Sequence, residues 1–226
     1  MKTERVNIRT FSSPREEEYL KAQQGRTALE IGCYVGWTTR LLAERFEKVI
    51  VIDTFEGKAE KKNAGNVDVL REFKRNTKRY RNIRILKGCS FLRIFDIDFS
   101  EVDFIFIDGG HDYETACGDI LISAFRSRTG CEIAVHDTRP SKNKNIAVVQ
   151  ALNRLLPLIP VTAVRYIDSI CHFVRARRGR FDLIRHIERQ LDNIKYYVLY
   201  ELGFYFWLFQ KSKGGGKNGR KNSENG

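Results

Sequence analysis

From residue 27 onward, short apolar runs alternate with longer, more polar stretches. The runs are 27–32 (TALEIG), 48–55 (KVIVIDTF), 82–88 (NIRILKG), 102–109 (VDFIFIDG) and 131–137 (CEIAVHD). They are rich in Val, Ile and Phe and lack polar alternation. A strand covered on both faces reads this way, whereas a strand with one wet face alternates. Between the runs lie helix-like stretches at 36–46, 61–79, 91–97 and 114–128. Strands alternating with helices imply βαβ units and a parallel sheet. A further helix-like stretch follows at 145–158, and 161–177 reads as two strands closing the sheet as an antiparallel edge. The predicted fold class is α/β, a doubly wound, mostly parallel sheet of seven strands.

The same pattern divides the chain. Residues 1–25 are polar and mixed in charge, with Glu16, Glu17 and Glu18 in a row; they read as a short leader helix without chemistry. Residues 26–180 form the sheet domain. Residues 181–210 begin amphipathic and become almost wholly apolar, a C-terminal helical extension. Residues 211–226 are rich in Gly, Lys and Asn with no apolar residue, the composition of a disordered basic tail.

In a doubly wound sheet, ligands sit beyond the carboxyl ends of the strands. That rule singles out Gly32 onward, Asp53, Cys89 with Ser90, Asp108, and His136 with Asp137, all where an apolar run ends. The first turn reads Glu30-Ile31-Gly32-Cys33-Tyr34-Val35-Gly36. Gly32 permits a sharp turn, and Gly36 lets the helix start approach a bound group closely. The spacing is GxxxG, so the dinucleotide fingerprint GxGxxG is not met. Asp53 follows Gly32 by 21 residues, where a carboxylate can accept both hydroxyl protons of a ribose. The turn and Asp53 together point to a nucleoside-bearing cofactor.

Asp108 ends the apolar residues Phe104 to Ile107, which calls for a partner. His111 follows it by three, and His136 with Asp137 ends the next run. If the two strands are neighbours, two carboxylates and an imidazole converge. Such a set suits a divalent cation, and His111 suits a general base near neutral pH.

Charge widens the list of partners. Forty Lys and Arg against 28 Asp and Glu give a net charge of +12, a field that attracts anions. RNA recognition is disfavoured, because no RRM, KH or zinc signature appears and no aromatics interleave with the basic run at 175–180. Five scattered cysteines without CxxC argue against a disulfide framework. The first residues carry no apolar core of a signal peptide, so a cytoplasmic protein is expected. The stretch 194–209 holds Trp207 and several tyrosines, with Arg185, Arg189, Lys195, Lys211 and Lys213 around it. It is too short for a span of about 20 residues. It reads either as a core or homodimer-interface helix or as a peripheral contact with a membrane surface.

With EIGCYVG, Asp53 and DFIFIDGGHDYE, the chain resembles the class I S-adenosylmethionine-dependent methyltransferases. The pairing of IDGGHDYE with a following HDT is similar to the small O-methyltransferase group that includes macrocin-type sugar O-methyltransferases and cephalosporin hydroxylase relatives. The resemblance covers about residues 25–140. It implies a Rossmann-like methyltransferase sheet and S-adenosylmethionine as cofactor. It places Glu30 near the methionine end, and Gly32, Cys33, Tyr34 and Gly36 around methionine and ribose. Asp53 falls on the ribose and Asp108 beside the cofactor. Cys89 and Ser90 stand where the family carries an Asp-Ser pair beside the adenine. From the catechol-type enzymes it implies a divalent cation such as Mg on Asp108, His136 and Asp137, with His136 where they carry Asp, and a general base at His111. Gly110 stands where some sugar methyltransferases carry an acid.

The expected activity is methyl transfer to a hydroxyl of a small-molecule or glycan acceptor, because a hydroxyl needs a base or a metal and this edge offers both. The other readings are an RNA-directed methyltransferase, a basic nucleic-acid-binding protein, and a hydroxylase on the same scaffold.

Overall fold

The computed structural model describes residues 13–56, 68–139 and 146–177. Seven strands form one sheet: β1 (Gly25–Ile31), β2 (Phe46–Asp53), β3 (Ile83–Lys87), β4 (Phe104–Ile107), β5 (Glu132–Val135), β6 (Val161–Ile167) and β7 (Ile170–Arg175). Their order is β3-β2-β1-β4-β5-β7-β6. The first five are parallel, and the β6–β7 hairpin joins β5 antiparallel. The helices are α1 (Pro14–Ala22), α2 (Trp37–Ala43), α3 (Val69–Thr77), α4 (Ser90–Arg93), α5 (Tyr113–Arg126) and α6 (Ile146–Leu155). The part of the predicted 61–79 helix before residue 68, and everything after 177, lie outside the described residues, so the readings of 181–210, 194–209 and 211–226 do too.

The unbroken apolar runs follow from the layering. Leu29, Ile31, Ile105, Ile107, Ile133 and Val135 pack on one face against Ala116, Ile120 and Ala124 of α5 and Val148, Leu152 and Leu155 of α6. The intervening Ala28, Val49, Val51, Phe104, Phe106 and Ala134 pack on the other, against Leu20 of α1, Leu42 of α2 and Phe73 of α3. From Thr27 through Ile31 in β1 and throughout β4 every position is therefore buried, and alternation disappears.

Two features of the topology position the candidate site. Parallel registers bring Ile31, Ile52 and Ile107 level, so Gly32, Asp53 and Asp108 leave the sheet at one edge. The antiparallel β7 then returns the β6–β7 turn to that same edge, with Cys171 opposite Val135 and Ser169 beside Thr138. Helix α1 seats its amino end on this turn. Ser13 caps it in a capping box with Glu16, and Ser13 Oγ donates to Asp168 Oδ2 at 2.6 Å. All five cysteines are free. No helix of the described residues is long and apolar enough to cross a membrane.

Candidate active site

The β1–α2 turn is built around Asp53. Its Oδ2 accepts the backbone N–H of Cys33 at 2.8 Å and of Tyr34 at 2.9 Å, and its Oδ1 accepts that of Phe55 at 2.6 Å. The acid thus latches the glycine turn. A carboxylate offers about four acceptor sites, so these three bonds leave room for a ligand hydroxyl. Gly32 has φ +84°, and a Cβ there would lie 2.1 Å from the Asp108 carbonyl oxygen. The glycine is required by how closely the ends of β1 and β4 approach each other. Tyr34 holds φ +45°, the left-handed region that costs a non-glycine residue energy. Cys33 is buried, and desolvation raises its thiol well above the usual range.

Glu30 does not reach the open edge. It is 1% exposed and accepts Thr39 Oγ1 at 2.5 Å. Burial pushes its carboxyl up to about 8, so at neutral pH it is largely protonated inside the core. Cys89 is exposed and caps α4, while Ser90 is buried and hydrogen-bonds Asp119 of α5. Burial pushes Asp119 up to about 7. Sequence reasoning missed Asp119. The signal was available, since this acid sits in the stripe of Ala116, Ile120 and Ser123 that α5 buries.

At the ends of β4 and β5, Asp108, His111 and Asp137 converge, with one potential ligand atom from each lying within 4.8 Å of the others. His111 Nε2 is 2.6 Å from Asp137 Oδ2 and 4.0 Å from Asp108 Oδ1. The bond to Asp137 raises the His111 pKa against the opposing effect of burial. Burial favours a neutral Asp137, yet the His111 bond and the His136 charge hold its carboxyl below its ordinary value. Asp137 has φ +59°, a strained backbone at the centre of the cluster. Ile107, Gly109, Ile120, Val135 and Val148 complete a small pocket there with His136.

His136 differs from the expectation that it joins a metal set with Asp108 and Asp137. Its ring is occupied on both sides: Nδ1 lies 3.1 Å from Asp108 Oδ1, and Nε2 lies 3.2 Å from Ser169 Oγ and 3.6 Å from Glu16 Oε2. Burial opposes its charge, but Asp108, Glu16 and Asp137 prevail and raise its pKa to about 11. The ligand atoms that converge are those of Asp108, His111 and Asp137, so His111 takes the place expected of His136 in the cluster.

The leader expected to be without chemistry supplies the other half of this lock. Glu16 is 2% exposed. Its Oε1 accepts Ser169 N at 2.7 Å and Ser169 Oγ at 2.5 Å, and its Oε2 accepts Ser13 N at 2.8 Å. The capping box Ser-Pro-Arg-Glu was legible in sequence; the burial of its acid against residues 153 positions away was not.

Residues 29–138 match a family model described as a methyltransferase domain. The matched segment is a methyltransferase domain, and the sheet that holds it has the fold of the class I S-adenosylmethionine-dependent methyltransferases. Solved structures share this methyltransferase fold. An O-methyltransferase from Bacillus cereus in complex with SAH is 21% identical, with TM-score 0.53, over 73% of this chain and 82% of that one. The O-methyltransferase TomG from Streptomyces achromogenes, involved in tomaymycin synthesis and in complex with SAM, is 14% identical, with TM-score 0.56, over 74% and 82%. The SAH-bound methyltransferase PaMTH1 from Podospora anserina is 12% identical, with TM-score 0.57, over 74% and 80%. The comparison with curated proteins gives no match.

Proposed function

We propose that this methyltransferase transfers the methyl group of S-adenosylmethionine to a hydroxyl of a small-molecule or sugar acceptor, with His111 as the base. The observation that carries the reading is the His111–Asp137 pair, placed beside Asp108 where β4 and β5 end. A hydroxyl is a poor nucleophile at neutral pH and needs its proton removed. With Nε2 held 2.6 Å from Asp137 Oδ2, His111 Nδ1 makes no hydrogen bond among the described residues and is available for the acceptor proton. Asp137 fixes the ring's orientation and tautomer, and stabilises the imidazolium that results. That several neighbours of the same fold are named O-methyltransferases supports an oxygen acceptor.

The donor set around the turn suits the cofactor. Asp53 retains acceptor capacity for a ribose hydroxyl beside its three backbone bonds. Asp53→Ala is expected to weaken S-adenosylmethionine by about 1.5–3 kcal/mol, the range for charge-assisted hydrogen bonds. Unchanged affinity by calorimetry, with an unchanged melting temperature, would remove Asp53 from the cofactor site.

The residues also fit a divalent cation: Asp108, His111 and Asp137 would hold it, and it would polarise the acceptor oxygen as a Lewis acid. That role and the role of base exclude each other, because a cation on His111 Nε2 breaks the dyad. Chelation separates them. The 2.6 Å approach of His111 Nε2 to Asp137 favours the dyad, so transfer of labelled methyl to a hydroxyl acceptor is expected to survive EDTA. Activity lost with EDTA and restored by Mg would make His111 a ligand. Amines labelled in preference to hydroxyls across the acceptor panel would overturn the oxygen assignment.

A further inference from the structure

The buried acid Glu16 stands at the inner end of a line of hydrogen bonds that leads out to His111. A carboxylate only accepts, so the Ser169 hydroxyl, 2.5 Å from Glu16 Oε1, commits its one hydrogen there. The Ser169 oxygen is then left as an acceptor for His136 Nε2–H, 3.2 Å away. With Nε2 fixed on that side, the ring presents Nδ1 to Asp108 Oδ1 at 3.1 Å and to Asp137 Oδ1 at 3.7 Å. One ring thereby spaces two carboxylates, and both of them face His111 Nε2, Asp137 at 2.6 Å and Asp108 at 4.0 Å. Side-chain exposure rises along the line, from the buried Glu16 through His136 at 10% to Asp137 at 23% and His111 at 45%.

Seating α1 does not by itself call for this acid. Leu20 is buried in the core, Tyr19 Oη lies 2.6 Å from His172 Nδ1, and Ser13 and Arg15 reach Asp168 at 2.6 and 3.3 Å. A buried carboxylate must have its lost hydration made up by the bonds it forms, whereas an apolar side chain needs no such compensation. His136 lies too deep to meet an acceptor itself, with its ring packed on Phe106 at 6.0 Å between centroids. What the line can do is orient the groups at its open end.

We propose that Glu16 is a positioning residue of the active site: acting through Ser169 and His136, it fixes the Asp108 and Asp137 carboxylates in the arrangement that aims His111 at the acceptor hydroxyl. The proposal rests on the reading of His111 as the base. It makes α1 part of the methyl-transfer machinery rather than a leader ahead of it. Four segments distant in sequence meet in this line: α1, the β6–β7 turn, and the ends of β5 and β4. A base delivers its effect only when held near the attack geometry, and a misplacement of about 1 Å from a remote change can cost about 10²-fold in rate.

Two variants of the full chain cut the line at different places. Glu16→Gln keeps the size of the side chain but cannot accept at both of its terminal atoms. Ser169→Ala removes only the hydroxyl and leaves the Ser169 N–H on Glu16, so α1 keeps its seat. Ser13→Ala is the control, because it weakens the helix cap and the contact with Asp168 but leaves the line intact. Ring nitrogen NMR spectra of the four histidines, with His111 assigned from His111→Ala, need no acceptor. The His111 signals are expected to move in Glu16→Gln and Ser169→Ala and to stay in place in Ser13→Ala. In transfer of labelled methyl from S-adenosylmethionine to catechol and a methyl glycoside, kcat is expected to fall about 10- to 100-fold in both line variants. The KM for S-adenosylmethionine should not change, since the cofactor turn hangs on Asp53. His111 signals that stay in place in both line variants overturn the proposal. So does a fall in kcat as large in Ser13→Ala, which would reduce Glu16 to a prop for α1. Activity lost in His111→Ala but kept in both line variants overturns the positioning role alone, whereas full activity of His111→Ala removes the base as well.

Discussion

Replacing His111 with alanine lowers kcat by about 10²–10⁴, the usual contribution of a positioned general base, and leaves cofactor affinity nearly unchanged. The ring lies beyond the strand ends, half exposed, and its one strong partner is Asp137. Its removal therefore takes away the proton acceptor without opening the core. The pH profile carries a second signature. A base works in its deprotonated form, and the Asp137 bond raises the His111 pKa above its ordinary value of 6.5. In the wild type, kcat should fall as pH drops through a value above 6.5, and Asp137→Asn should move that limb toward lower pH. Full activity of His111→Ala across the neutral range would assign the proton to another group.

Glu16→Ala is expected to cost about 3–5 kcal/mol of stability, the range for removing one partner of a buried ion pair. The loss takes the Glu16 carboxylate from His136, which keeps Asp108, and leaves the Ser169 N–H and the Ser13 N–H without their acceptor. Burial alone would raise the Glu16 pKa, but its hydrogen bonds from His136, Ser169 and Ser13 lower it to about 2 from an ordinary 4.5. The sign follows. The native carboxylate binds protons less readily than the unfolded one, so its contribution is complete above pH 4.5 and fades as pH falls toward 2. The stability gap between wild type and Glu16→Ala, measured by urea unfolding, should be widest near neutral pH and should shrink below pH 4.5. A gap that stays constant down to pH 2 would mean that Glu16 contributes through packing rather than charge.

Most of the scaffold was legible in the chain. Burial on both faces leaves a local mark, the apolar run without alternation, so five parallel strands and the closing hairpin can be read one segment at a time. The end of each run marks an edge, which is why Asp53, Asp108, His136 and Asp137 could be singled out without knowing which strands touch.

What those side chains do was decided in three dimensions. Asp53 ends its strand as expected, yet its first partners are the amides of Cys33 and Tyr34. His136 and Asp137 are adjacent in sequence, but the backbone turns through φ +59° at Asp137 and directs them to different partners. One joins His111; the other is held between Asp108, Ser169 and Glu16. In sequence Glu16 is one of three consecutive acids on a leader helix without chemistry; the antiparallel β7 brings Ser169 to the carboxyl edge, and α1 places Glu16 on that turn. Periodicity is set by neighbours three or four residues away, so sequence carries it. The protonation of His136 and the burial of Glu16 and Asp119 depend on contacts made across the fold, and no local pattern encodes them.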